Sequence, residues 1–82
     1  MNIDEIKSKI NNFLINEMPN DYLELNDDTD LLNEWFLDSF GIINTIMFLE
    51  TEFSISISRS DINADNFLNL NSLSLYILNK FK

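Results

Sequence analysis

Apolar residues recur at Ile3, Ile6, Ile10, Phe13 and Leu14, the spacing of one face of an α-helix. Asn2 and Glu5 stand as an N-terminal cap pair, and Pro19 lies just past the expected end. From Pro19 to Leu37 the period is lost. Tyr22, Leu23, Leu25, Leu31, Leu32, Trp35, Phe36 and Leu37 nevertheless supply too many apolar groups for a solvated linker. This 19–37 connection is therefore expected to pack on the body, and its length points to a functional loop held by its own side chains.

A second helix is expected from about Ser39 to Phe53. At about 100° per residue, Ile42, Ile46, Leu49 and Phe53 form one stripe, while Phe40, Ile43 and Met47 form another about 120° away around the axis. One face against a core does not need both. Either the Leu- and Trp-rich loop covers the second stripe or that stripe docks a partner, and the pattern leaves both open.

Phe53-Ser54-Ile55-Ser56-Ile57-Ser58 alternates with period two, as a strand does. No other segment offers a partner strand, so the stretch reads as an extended connector. Ser58 and Asp61 are placed to cap a short third helix containing Ile62, with Phe67 as a core anchor. Leu70, Leu73, Ile77 and Phe81 repeat helically. With Asn69 as cap and Lys80 and Lys82 at the C-terminal end, they predict a fourth helix. Residues 1–82 read as a single domain.

Length and composition narrow the picture. An 82-residue chain, 45% hydrophobic with one Gly and one Pro, suits one small helical globule with a modest core. Fourteen acidic residues against five basic ones give a formal charge of -9, which repels nucleic acid and favours basic protein partners. The absence of Cys and His excludes disulfides, Cys-ligated metals and the commonest general base. No apolar run reaches membrane-spanning length and no signal peptide is recognised, so a cytoplasmic protein is expected.

Few residues remain for chemistry. Asp27, Asp28 and Asp30 do not make an EF-hand, since a count from Asp28 puts Leu32 at the fifth position and Ser39 where the bidentate Glu belongs. Glu50 and Glu52 are two apart on a helix and point in different directions, as surface charges do. Ser39 opens the second helix, where unpaired N–H groups favour an anion such as a phosphate ester, although a serine there also serves as a plain cap. It lacks a His base and a Gly-x-Ser-x-Gly elbow, so it is read as an acceptor of modification rather than a nucleophile.

Asp30-Leu31-Leu32, Leu37-Asp38-Ser39-Phe40-Gly41, Phe48-Leu49-Glu50-Thr51-Glu52-Phe53 and Asn66-Phe67, taken in order, resemble an acyl or peptidyl carrier protein over nearly the whole chain. The resemblance implies an all-α four-helix bundle of acyl-carrier-protein type, with a long loop between helices 1 and 2 and a short third helix. It implies that a phosphopantetheinyl transferase moves 4'-phosphopantetheine from coenzyme A to Ser39, with Asp38 helping that enzyme recognise the site. The arm's thiol would carry an acyl or aminoacyl thioester. Phe40, Ile43, Met47 and Glu50 match positions that such proteins present to partners, here a loading enzyme and a downstream synthase or transferase. A monomer that is not itself an enzyme is expected, with no nucleic acid and no membrane insertion.

Asn44 and Thr51 stand where fatty-acid carriers often have acids, and Trp35 replaces a small residue four positions before the serine. Gly41 inside a helix costs about 1 kcal/mol relative to Ala. Asp-Ser-Phe-Gly also resembles D-alanyl carrier proteins, which serve teichoic acid modification of the cell wall, but the downstream Trp-containing stretch is missing. The preferred expectation is a discrete carrier of a specialised pathway. An unmodified carrier-like interaction module is the other alternative.

Overall fold

Helix α1 (Ile3–Glu17) starts where the Oδ1 of Asn2 accepts the Glu5 N–H at 2.9 Å, filling one of the donors that a helix start leaves open. The computed structural model describes residues 2–17, 25–35 and 39–81, with Glu34 and Ser39 described by backbone alone. Helix α2 (Ser39–Phe53) and helix α4 (Leu70–Lys80) follow the apolar periods of their sequences. No strand occurs among the described residues, and Ile55–Ser58 is a connector without regular secondary structure, extended at Ser58. The result is a small all-helical bundle.

The core is built on a seam between α1 and α4, the most closely packed pair of helices. Ile6, Ile10 and Leu14 meet Leu70, Leu73 and Ile77, and all are buried. Leu49 and Phe53 of α2 close over this seam together with Phe67. Leu31 and Trp35 complete it from the 19–37 connection, as their apolar character requires. Leu25 and Leu32 pack partly against it, while Tyr22, Leu23, Phe36 and Leu37, also expected to pack there, and Pro19 lie outside the described residues.

Leu31–Trp35 form a single π-helical turn that the sequence pattern does not announce. Asp30 starts it: Oδ1 accepts the Asn33 N–H at 3.0 Å and Oδ2 accepts Asn33 Nδ2 at 2.7 Å. These bonds hold the Asp30 carboxyl below its ordinary pKa. Two backbone bonds clip the segment to the far end of the chain. Leu31 N–H donates to Leu68 O at 2.8 Å, and Asn71 N–H donates to Asp27 O at 3.1 Å. The second bond satisfies a first-turn donor of α4. Among the described residues, the buried Trp35 Nε1 and Ser74 Oγ have no hydrogen-bond partner.

The short third helix lies further on than Ser58 and Asp61 suggest. Arg59–Asp61 form only a 3-10 turn, Ser58 makes no side-chain cap bond there, and Ile62 is exposed and non-helical. Helix α3 (Ala64–Phe67) is capped instead by Asn63, whose side chain accepts the Asn66 N–H at 2.9 Å. The Asp61 carboxylate cannot complete a capping box because it faces α4. Its Oδ2 accepts from the Tyr76 hydroxyl at 2.8 Å and lies 3.5 Å from Lys80 Nζ. Phe67 is a core anchor as expected. Asn69 caps α4 by accepting the Ser72 N–H at 2.7 Å.

The end of α4 departs from expectation in two ways. Phe81 is the C-cap residue, is largely exposed and meets Phe53 edge-on at 6.3 Å, so it is not part of the core row. Lys80 turns away from its own helix terminus to donate to Ser56 O at 2.9 Å. Lys82 lies outside the described residues. Lys80 and the Asp61–Tyr76 bond thus fasten the connector and the 3-10 turn onto α4.

Helix α2 ends on Ser54, whose φ of 53° is left-handed, and Ile55 N–H then reaches back to Glu50 O at 3.3 Å. This is the reversal that usually employs Gly. Ser54→Gly is therefore expected to raise stability by about 0.5–1 kcal/mol, read as a shifted urea midpoint with unchanged slope. A lower midpoint would show that the Ser54 side chain stabilises the turn.

The Tyr76 hydroxyl, then Ser58 and Lys80, hold the Asp61 carboxyl below its ordinary value of 3.8, while burial and Asp61 push the Tyr76 phenol up. A depressed carboxyl contributes stability above its unfolded pKa and loses it as pH falls through the folded one. Denaturation midpoints compared at about pH 6 and about pH 3 should fall less in Asp61→Asn than in the native chain. Equal falls would remove Asp61 from the acid response.

Candidate functional site

Ser39 is the first residue of α2, at the end of the long connection. The first turn of a helix has N–H groups without intrahelical acceptors and a partial positive charge. Asp38, the residue paired with Ser39 in the sequence reading, lies outside the described residues. Nearly two turns into α2, the buried Thr45 returns its hydroxyl to Gly41 O at 2.8 Å, so this polar group enters the core already satisfied.

The two stripes of α2 have separate fates. Leu49 and Phe53 are buried, and Ile42 and Ile46 pack partly against the core. Phe40, Ile43 and Met47 remain exposed by 72%, 50% and 61%. The second stripe is thus a solvent-facing apolar row, and it begins beside Ser39. Leaving such side chains in water forgoes about 1.5–3 kcal/mol each relative to full burial. No charged residue occurs between Ser39 and Leu49, so the row is also uncharged along its length.

Glu50 lies on the same side of α2 as Ile43 but is half-buried. Its Oε2 accepts the Ile57 N–H at 2.9 Å while its carbonyl receives Ile55 N–H. Both bonds fix the connector, a role that the sequence pattern did not reveal. The alternation of 53–58 was the only available hint, since an extended segment without a partner strand needs acceptors from elsewhere.

Helices α1 and α2 run antiparallel. Lys9 Nζ meets Glu52 Oε1 at 2.9 Å, and the Phe13 and Phe48 rings stack at 4.1 Å with an interplanar angle of 12°. An open groove of about 770 Å³ lies along this contact. Asn12, Phe13 and Asn16 line it from α1, and Asn44, Met47 and Phe48 line it from α2. Met47 therefore belongs both to the exposed row and to the groove wall.

The acidic loop offers no metal cluster among the described residues. Asp27 pairs with Lys7 at 2.9 Å, and Asp30 is committed to Asn33. No helix among the described residues is long and apolar enough to cross a membrane. Compared with known proteins, the sequence matches no protein-family model and no curated protein.

Proposed function

We propose that this protein is a discrete carrier of the acyl or peptidyl carrier type, a four-helix bundle whose Ser39 accepts a 4'-phosphopantetheine arm. The observation that carries the reading is that α2 opens on Ser39 and presents beside it the exposed row Phe40, Ile43 and Met47. The residues present fit the group: a hydroxyl-bearing residue stands at a helix start, where backbone N–H groups and the helix dipole favour a phosphate. When attached, the arm supplies a thiol that holds an acyl or aminoacyl group as a thioester.

In the loading step, the Ser39 hydroxyl oxygen bonds to the phosphorus of the pantetheine phosphate of coenzyme A. The phosphoanhydride bond to adenosine 3',5'-bisphosphate breaks, and the serine proton passes to a base of the transferase. Asp38, next to the acceptor, is assigned to recognition by that transferase. The row on α2 docks the transferase, the loading enzyme and the downstream synthase or transferase in turn, with Glu50 at its border. Asn44 and Thr51, standing where bulk fatty-acid carriers often have acids, favour a specialised pathway.

Incubation with coenzyme A and a promiscuous phosphopantetheinyl transferase should add one phosphopantetheinyl group to the native chain, read by intact mass, and none to Ser39→Ala. No gain with several transferases overturns the carrier reading in favour of an unmodified interaction module. An unchanged gain in the alanine variant moves the attachment elsewhere.

Met47→Glu alters an exposed position and should leave stability within about 0.5 kcal/mol of the native value. Transfer from the loaded variant to its cognate enzyme should slow by about tenfold, the effect of losing one central interface contact. Unchanged transfer kinetics would remove the row from the docking surface.

A further inference from the structure

Asn12 and Asn16 stand four residues apart on the α1 rim of the groove, so the two positions are about 6 Å apart along the helix axis. An extended chain turns the N–H and C=O of every second residue to the same side, a repeat of about 6.6 Å. The two spacings match. On the α2 rim, Thr51 stands toward the Lys9 end and Asn44 toward the Glu17 end, because the antiparallel helices set Lys9 on Glu52 and Phe13 on Phe48. Between the rims lies the apolar Phe13–Phe48 stack, with Met47 on the wall.

Among the described residues, the exposed carboxamides of Asn12, Asn16 and Asn44 are not engaged by another side chain. Each offers both a donor and an acceptor, the complement of the C=O and N–H of one peptide residue. An anion needs only donors and a hydrocarbon needs neither. Glu17 is exposed and forms no ion pair among the described residues. No base occurs between Lys9 and Arg59 in the sequence, and Lys9 is paired with Glu52, so the surplus charge of the groove is negative. From Lys9 to Glu17 the groove runs about 12 Å, the span of about four extended residues. Its volume of about 770 Å³ suits a segment of that size.

We propose that this groove binds an extended segment of a partner protein by its backbone, with a basic residue at the Glu17 end. Asn12 and Asn16 each accept from the N–H and donate to the C=O of alternate residues of the segment. Asn44 and Thr51 bond residues that face α2, and one apolar side chain rests on Phe13 and Phe48. Contacts to the backbone fix the extended shape and leave the segment's sequence free except at its apolar and basic positions. The site does not depend on loading of Ser39. Through Met47 it is continuous with the exposed row on α2, so a partner seated on that row has a second hold along α1.

The test uses the full chain, unloaded and isotope-labelled, titrated with an end-blocked Lys-Ser-Leu-Ser-Lys peptide, which presents a base to Glu17 in either direction. Titration should shift the side-chain amide resonances of Asn12, Asn16 and Asn44 saturably. Methylating the backbone nitrogens of both peptide serines should weaken binding by about fivefold or more, the effect of losing two neutral hydrogen bonds. The double variant Asn12→Ala, Asn16→Ala should lose a similar factor. Glu17→Gln should weaken binding by about two- to fivefold at low salt. Asn79→Ala, at an exposed position on α4, should leave it unchanged.

No saturable shift up to millimolar peptide overturns the proposal, as does equal affinity for the methylated peptide, which would leave the backbone unread. Equal affinity for a peptide with Glu in place of both Lys overturns the basic end. Shifts that appear on concentrating the chain without peptide assign the groove to a second copy and overturn the partner segment. If the double variant loses its helical circular dichroism, the methylated peptide on the native chain decides. Because the chain is unloaded, these outcomes are separate from the attachment at Ser39, which is read by mass.

Discussion

The packing of Ile6, Ile10 and Leu14 against Leu70, Leu73 and Ile77 is the contact on which the other elements depend. It joins α1 to α4 across all the elements between them, so it closes a long loop and must bury enough apolar surface to offset that ordering. A chain this short has little core to spare, and its remaining elements are attached to the seam by directed bonds rather than by further layers. Leu31 and Asp27 clip the first connection to the α3–α4 junction through their backbones. Glu50, Lys80 and Asp61 hold the second connection from α2 and α4. The bonds to Glu50 fix the reversal at which α2 ends.

Much of this was legible because helix periodicity and Asn capping are local. Asn2 and Asn69 cap α1 and α4 as the sequence indicates, and the bounds of α2 agree with its apolar stripes. The misreading at 58–67 has the same origin. Ser58 and Asp61 satisfy the cap spacing, but Tyr76, fifteen residues away, takes the Asp61 carboxylate and Asn63 supplies the cap instead. A contact at that separation cannot be read from a window. The π-helical turn at Leu31–Trp35 likewise depends on Leu68 and on burial of the indole, both set by tertiary packing.

The candidate site was legible as a pair of stripes but not as a choice between them. A helical wheel shows that Phe40, Ile43 and Met47 share a face; it does not show whether another segment covers that face. The exposure of Phe40, Ile43 and Met47 resolves this, while Leu31 and Trp35 of the connection are drawn into the core with Phe67 and the α1–α4 contact. The groove was not legible, since it needs the antiparallel register that sets Phe13 on Phe48 and Lys9 on Glu52.

Charge and apolar surface are kept apart in this molecule. Between residues 18 and 38 there are seven acids and no base, whereas Ser39–Leu49 carries no charge at all. Lys7, Lys9 and Lys80 are drawn into pairs with Asp27, Glu52 and Asp61. Such exposed pairs contribute little stability each, and with five bases against fourteen acids they leave a surplus of negative charge on the chain. Under the carrier reading the two surfaces divide the work. The surplus of acids attracts a basic partner from a distance and loses that pull as salt rises. The uncharged row fixes the bound orientation by burial, which salt does not screen. Raising salt should therefore slow encounter while leaving the lifetime of a docked complex nearly unchanged, because the charges that steer the approach are not the atoms buried at the end of it.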